Sequence, residues 1–307
     1  MGGGTPALVL RNLSAVHLAL LVALAGCRKH EARPVARFED AAIVVAPIDA
    51  SAPRLRSSFA LPVANIDGAY YYAVETQMDA PLGEARTWAS TPAGDAVGVR
   101  AATKVPTPWS QLVGLRLDAY TADGKNCLVR VSGFALLDRA SADAPLALAR
   151  IEPESCVPLL VSSRGVPTPF AIADVPAAEA KPIKAAFAKE DRSAFPTGKS
   201  VMRESWMIAL VGPKRFVLAV ETAEQQTDCG TKQETVGVIY DGSNAVARLQ
   251  NGERPVAALD VDGDGRPELF YGPAEWDHGM SGGKRFAAVS LDDGAGDVAL
   301  SYYVGCD

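Results

Sequence analysis

The sequence predicts a mainly β protein: an antiparallel β-sandwich or partial-propeller-like sheets in two β-rich domains, with one short helix between them. Three observations predict this fold class. Short apolar runs recur from residue 59 onward, turn signals separate them, and only one segment has a convincing helical pattern. Short strands that alternate with turns at regular spacing are typical of sandwiches and barrels.

The first predicted β-rich domain spans residues 59–165. Asp123-Gly124 lies between two strand-like runs, and both of its residues tolerate positive φ, so this dipeptide predicts a hairpin. The predicted strands are residues 69–76, 115–120, 128–136 and 146–151.

The second predicted β-rich domain spans residues 201–307, and its runs again flank turn signals. Asp241-Gly242-Ser243-Asn244 is one of these turns, and Asp292-Asp293-Gly294 is another. The predicted strands are residues 206–211, 215–221, 236–240, 245–249, 256–261, 268–271, 285–291 and 298–304.

The segment between these domains, residues 166–200, is rich in proline and contains the predicted helix. Pro182 suits a first helical turn. Ile183, Ala186 and Phe187 share one helical face, which predicts packing of that face against a sheet.

The N-terminal segment has the features of an export signal. Residues 13–25 form an apolar run that is too short to cross a membrane, which takes roughly 20 apolar residues. The run ends in Leu24-Ala25-Gly26-Cys27, which resembles the lipobox of bacterial lipoprotein precursors. The resemblance implies that residues 1–26 are a signal peptide and that Cys27 carries the lipid.

Residues 27–58 are predicted to be the lipidated cysteine and a proline-rich tether outside the cytoplasm. Arg28 follows Cys27, whereas an aspartate there often retains Gram-negative lipoproteins at the inner membrane. The expected location is therefore the cell envelope, with the protein anchored by lipid in the outer membrane.

Charge and cysteine content narrow the function classes. The net charge of −6 argues against nucleic acid as a partner. Besides Cys27 the chain has Cys127, Cys156, Cys229 and Cys306, and an even number of cysteines in an oxidising compartment indicates two disulfides. Three pairings are possible, and we favour Cys127–Cys156 with Cys229–Cys306 because each stays within one predicted domain.

An acidic loop follows the run at residues 256–261. Asp260, Asp262 and Asp264 alternate, and Gly263 and Gly265 permit the backbone to curl around an ion. Calcium takes six to eight oxygen ligands, which these carboxylates, the Arg266 carbonyl and the Glu268 carboxylate would supply. Three acids within five residues repel one another, and a cation relieves that repulsion.

The loop differs from an EF-hand, because Tyr271 stands where the bidentate glutamate is required. A strand-like run follows instead, so residues 255–273 resemble the calcium loops of FG-GAP or VCBS-type repeats. Those loops usually have Asp where this chain has Glu268. The resemblance implies a calcium ion between two strands, and a structural role is favoured over ligand bridging.

Other motifs do not support catalysis or nucleotide binding. Gly279-Met280-Ser281-Gly282-Gly283 matches a hydrolase elbow, but no histidine follows it. Gly198-Lys199-Ser200 lacks the first glycine of a phosphate-binding loop. The chain's four tryptophans would suit a sugar-binding platform, although core packing is the commoner role: Trp88, Trp109, Trp206 and Trp276.

The sequence therefore predicts a non-catalytic binding or scaffolding protein of the cell envelope, with a structural calcium site. The expected partners are the membrane, through the lipid, and an unidentified envelope protein or polysaccharide. One alternative is a hydrolase that acts on an envelope polymer through carboxylates the sequence does not single out. Another is a surface adhesion module in which calcium bridges to an acidic group of a partner.

Overall fold

The structure is a computed structural model that describes residues 59–74, 82, 85–88, 98–138, 145–227, 230–249, 251–277, 282–291 and 296–304. It confirms a mainly β fold with two antiparallel sheets. The α-helix of the described part, α1, spans Ala177–Phe187. Among the described residues, no helix combines the length and apolar character that a membrane crossing needs.

The first sheet is formed by the N-terminal strands, in the order β1-β8-β5-β6-β7-β3-β2, with β4 beside β6. The predicted hairpin at Asp123-Gly124 is confirmed: it joins β5 to β6, and Gly124 has a φ of +75°. The strands are β1 (Ala60–Pro62), β2 (Ala64–Ile66), β3 (Ala69–Ala73), β4 (Val99–Ala101), β5 (Arg116–Tyr120), β6 (Asn126–Leu137), β7 (Leu146–Pro153) and β8 (Leu160–Ser162).

The second sheet has the order β13-β12-β11-β10-β9-β14-β15-β17-β16, with β18 beside β17. The predicted turn at Asp241-Gly242-Ser243-Asn244 joins β12 to β13. The strands are β9 (Thr168–Ala173), β10 (Met202–Val211), β11 (Arg215–Thr227), β12 (Gly230–Asp241), β13 (Asn244–Leu249), β14 (Ala257–Asp260), β15 (Glu268–Tyr271), β16 (Ala274–Asp277), β17 (Gly282–Leu291) and β18 (Gly296–Val304).

Two strands of this sheet were not predicted. β9 lies in the proline-rich segment, where its residues Phe170 and Pro169 pair with β14 and its residues 171–173 pair with β10. β16 is absent from the predicted strands, and it pairs with β17. The predicted limits of the two domains, 59–165 and 201–307, stay a prediction.

Helix α1 packs on one face of the second sheet. Ile183 and Phe187 are buried against a cluster of β11 and β12 side chains, and Ala186 is partly buried beside them. This is the face that the sequence predicted. The prediction that Pro182 lies in the first helical turn is wrong, because the helix begins five residues earlier at Ala177; Pro182 lies inside it and Pro176 occupies the N-cap position.

Both sheets contribute to shared apolar clusters. In one cluster, Tyr120 and Leu160 of the first sheet pack with Leu259, Phe270 and Val289 of the second. A second cluster joins strands β2, β3, β6 and β7 to Ala287 and Leu300 of β17 and β18. The two sheets therefore bury apolar surface against each other, which is the main stabilising contribution in folding.

The first sheet also has a core of its own, built around two tryptophans. Trp88 and Trp109 are fully buried, with their ring centroids 6.3 Å apart. A disulfide joins Cys127 to Cys156 beside this core, as predicted. Cys27, Cys229 and Cys306 lie outside the described residues, so the lipid attachment and the second disulfide stay predictions.

Candidate metal site at the β14–β15 loop

The acidic loop connects two neighbouring, antiparallel strands in the interior of the second sheet. Asp260 is the last residue of β14 and Glu268 the first of β15, where it pairs with Leu259. Gly263 and Gly265 have φ values of +81° and +83°. These left-handed conformations favour glycine and give the loop the curl that the sequence predicted.

Three carboxylates converge at the base of this loop. One oxygen from each of Asp260, Asp262 and Glu268 lies within 4.8 Å of the others. Asp260 is 8% exposed and Glu268 only 2%, whereas Asp262 is exposed. Two of the three acids are therefore held inside the protein, and the third faces solvent.

Backbone amides of the loop orient the two buried acids. Asp260 accepts hydrogen bonds from Gly263 N–H at 2.7 Å and from Gly265 N–H at 3.0 Å, one on each carboxylate oxygen. Glu268 accepts one from Val261 N–H at 2.6 Å. A carboxylate oxygen can accept more than one contact, so these bonds fix the side chains and leave lone pairs for a cation.

Asp264 lies outside this group of three. Its carboxylate accepts a hydrogen bond from Arg266 N–H at 2.7 Å, and its other oxygen is 3.5 Å from Arg266 Nε. Its own N–H donates to Asp262 at 3.1 Å. The structure thus brings together three of the four predicted acidic ligands, and the parts predicted for Asp264 and for the Arg266 carbonyl stay predictions.

Burial and like charges act together on Glu268. Loss of hydration raises the pKa of its carboxyl to about 8, the negative charges of Asp262 and Asp260 add to that rise, and the Val261 hydrogen bond opposes it. Near neutral pH this carboxyl is therefore largely protonated as long as no cation is bound. A cation at the three carboxylates reverses this preference, because it favours the ionised form.

Two basic side chains from distant segments stand beside the loop. Arg164, from the connection between β8 and β9, has its Nη1 at 3.9 Å from Asp262. The Lys214 ammonium is 3.7 Å from the position that a Cβ on Gly265 would take. No sequence motif pointed to either residue, because the fold alone brings them to the loop.

Among the side chains that the structure describes after β15, none joins the three converging carboxylates. Glu275, on β16, forms an ion pair with Lys284 on the neighbouring strand β17. The side chains of Trp276 and Asp277 are not among those described, and His278 lies outside the described residues. Trp206 is half-buried, at the margin of the second sheet's core.

The donor set fits a hard cation. Three carboxylates from a curled loop supply charged oxygens, and solvent at Asp262 would complete the six to eight oxygens that calcium takes. The chemistry that calcium would supply here is neutralisation of clustered charge and crosslinking of the two strand ends.

Comparison with known proteins gives no relative. No family profile, no curated protein and no solved structure matches the chain.

Proposed function

We propose that this chain is a lipid-anchored, non-catalytic binding or scaffolding protein of the cell envelope, and that a structural calcium ion holds its β14–β15 loop. The observation that carries the calcium site is the convergence of Asp260, Asp262 and Glu268 oxygens within 4.8 Å. Ionisation of an almost fully buried carboxyl group is costly, and a cation beside it offsets that cost.

The position of the loop supports a structural role for the ion. β14 and β15 lie between β9 and β17 in the second sheet. Leu259 of β14, Val261 at the start of the loop and Phe270 of β15 belong to an apolar cluster shared with the first sheet. A cation that crosslinks the strand ends therefore stabilises packing between the sheets as well as the loop.

The disulfide supports the extracytoplasmic part of the proposal. Cys127 and Cys156 are bonded, and disulfides persist in oxidising compartments such as the periplasm and the cell surface. Together with Leu24-Ala25-Gly26-Cys27, this favours a location outside the cytoplasm. The acylated cysteine would then tie the β sheets to a membrane.

Thermal melting tests the calcium site. We would use a chain that lacks residues 1–26 and carries Cys27→Ser, with calcium and with a chelator. Calcium at one hundred times its Kd stabilises the folded state by about 2.7 kcal/mol, which raises the melting temperature by several degrees. Identical melting curves in the two conditions would exclude the site.

Two matched variants locate the ligands. Asp262→Asn should lose most of the calcium-induced shift, because its carboxylate is one of the three that converge. Asp264→Asn should retain most of the shift, because the Asp264 carboxylate is directed to Arg266. If Asp264→Asn abolishes the shift and Asp262→Asn does not, the ion is held by a different set of residues.

Lipid attachment is tested separately. In cells that express the full chain, metabolic labelling with a radioactive fatty acid should mark the protein, and Cys27→Ala should remove the label. An unlabelled full chain would contradict the anchor and would leave the calcium result unaffected.

A further inference from the structure

The second sheet has an open edge along the first part of β10. β9 pairs with β10 only from Ala209 to Val211, through residues 171–173. After Ala173 the chain turns away into α1, which begins at Ala177. Among the described residues, no strand pairs with residues 202–208 of β10 on that side, although the other side pairs with β11 along its whole length.

The direction of the backbone groups along this edge follows from the hairpin. Gly212 N–H donates to Lys214 O, and in an antiparallel ladder every second residue bonds to the same neighbour. Trp206 and Ile208 therefore direct their backbone N–H and C=O groups toward β11. Ser205 and Met207 direct theirs outward, away from β11. Within the described part of the chain, these outward groups have no backbone or side-chain partner.

A groove of about 710 Å³ lies beside this edge. Ser205 and Met207 line it from β10, Glu221 lines it from β11 and Phe187 lines it from α1, so the groove lies on the face of the sheet that α1 packs against, next to the open edge. Val175, in the connection between β9 and α1, forms part of another wall. The groove thus presents apolar side chains next to unpaired backbone donors and acceptors.

The groove has four charged side chains, and two of them form an ion pair with each other. Arg192 binds Glu221 with an Nε–Oε2 distance of 2.7 Å and also stacks on the Phe187 ring. Asp174 and Lys184 line the same groove, and neither has an ion-pair partner in the part of the chain that the structure describes. The groove is therefore complementary to a segment that carries one basic and one acidic side chain.

We propose that this edge binds an extended peptide segment of a partner protein, which pairs as an added strand with the open side of β10. Its alternate side chains would be apolar and face Met207 and Val175, and its charged side chains would meet Asp174 and Lys184. The proposal goes beyond the calcium site and does not depend on it, because β10 and α1 lie outside the β14–β15 loop.

A polypeptide is the ligand class that this edge fits best. Donors and acceptors that recur at every second residue along a strand match only another backbone in extended conformation. Main-chain hydrogen bonds then give affinity, and the side-chain positions of the groove give specificity. A small polar ligand would form hydrogen bonds with the outward backbone groups of only one of the two residues, Ser205 or Met207, and would leave those of the other unpaired.

Two variants at Ser205 provide the test, in the chain without residues 1–26 that carries Cys27→Ser. The probe is the acetylated and amidated peptide Lys-Thr-Val-Thr-Val-Thr-Glu, whose charged and valine side chains all lie on one face of an extended strand. Ser205→Pro removes the outward N–H and leaves the β11 ladder intact, which edge strands tolerate. We expect it to weaken binding by roughly tenfold relative to Ser205→Ala, which keeps the N–H.

N-methylation of the probe tests the same contact on unaltered protein, in case Ser205→Pro does not fold. Two probes are compared, one methylated on the odd-numbered backbone amides and one on the even-numbered amides. One of them should lose binding and the other should bind as the unmodified probe does, as strand pairing requires. The proposal is overturned if the unmodified probe does not bind or if the two methylated probes bind equally well. It is also overturned if sedimentation shows a dimer of this chain that Ser205→Pro abolishes and Ser205→Ala does not. A calcium-independent melting curve would not affect it.

Discussion

Glu268 is the residue at which burial and charge most directly affect stability. It is 2% exposed, and the oxygens of Asp260 and Asp262 lie near its own. With no cation bound, the environment raises the pKa of this carboxyl from 4.5 to about 8. The folded state therefore binds a proton at Glu268 over a pH range in which the unfolded state has released it.

This difference predicts how stability varies with pH in the absence of calcium. A group whose pKa is raised on folding stabilises fully below its unfolded pKa, and that contribution is lost as pH rises through the folded pKa. In chelator, the free energy of unfolding should therefore fall between pH 4.5 and about pH 8. Urea denaturation at several pH values measures this slope.

The control for the pH prediction is Glu268→Gln, whose amide does not titrate. It should flatten the slope of the free energy of unfolding in chelator. Calcium should flatten it as well, because the bound cation keeps the carboxyl ionised. An unchanged slope in Glu268→Gln would mean that other groups cause the pH dependence.

Gly212 shows a second residue-scale constraint, a close approach to an aromatic ring. A Cβ at this position would lie 2.6 Å from Cδ1 of Phe170, which is itself buried. Gly212→Ala should therefore cost about 1–3 kcal/mol of stability through overpacking. Gly98→Ala is the matched control, because a Cβ there meets nothing within 4 Å. Equal urea midpoints for the two variants would contradict this contact.

At the scale of elements, β10 should show an alternating pattern of amide exchange. The N–H groups of Trp206 and Ile208 bond to β11 and should be protected. Those of Ser205 and Met207 face outward and should exchange rapidly. Residue-resolved hydrogen exchange by NMR measures this alternation in the free protein. Uniform protection from Ser205 to Ile208 would show that another segment already covers the edge.

Hairpins and the helix could be predicted from the sequence because their signals are local. Asp123-Gly124 and Asp241-Gly242 lie between apolar runs, and Ile183 and Phe187 lie one turn apart. β9 could not be predicted in this way. Pro169 argues against a strand, and the strand forms because distant residues of β10 and β14 pair with it.

The acidic loop also has some features that local sequence signals predict and others that depend on distant residues. The alternation of Asp260 and Asp262 and the following Glu268 predicted a cluster, because glycines between them permit the curl. The pattern gave no reason to separate Asp264 from the other acids, since its side chain is set by the local Arg266 amide. Arg164 reaches Asp262 only through the packing of the β8–β9 connection.

For the whole molecule, the shared clusters determine how unfolding proceeds. Tyr120 and Leu160 of the first sheet pack with Phe270 and Val289 of the second, so separation of the sheets would remove a shared part of the core, although the first sheet also has its own core around Trp88 and Trp109. The described residues also belong to a single compact unit. Separation of the sheets would expose large apolar side chains that are now less than 3% exposed.

We therefore expect one cooperative transition in scanning calorimetry of the chain without residues 1–26 that carries Cys27→Ser. Leu160→Ala removes a contact shared by both sheets, and Ile183→Ala removes one between α1 and the second sheet alone. Each deletion should cost about 2–5 kcal/mol. Because unfolding is a single event, both variants should shift the same transition to lower temperature. If Ile183→Ala instead splits the transition, leaving one component at the original temperature, then the first sheet is stable by itself and the shared clusters contribute little to its stability.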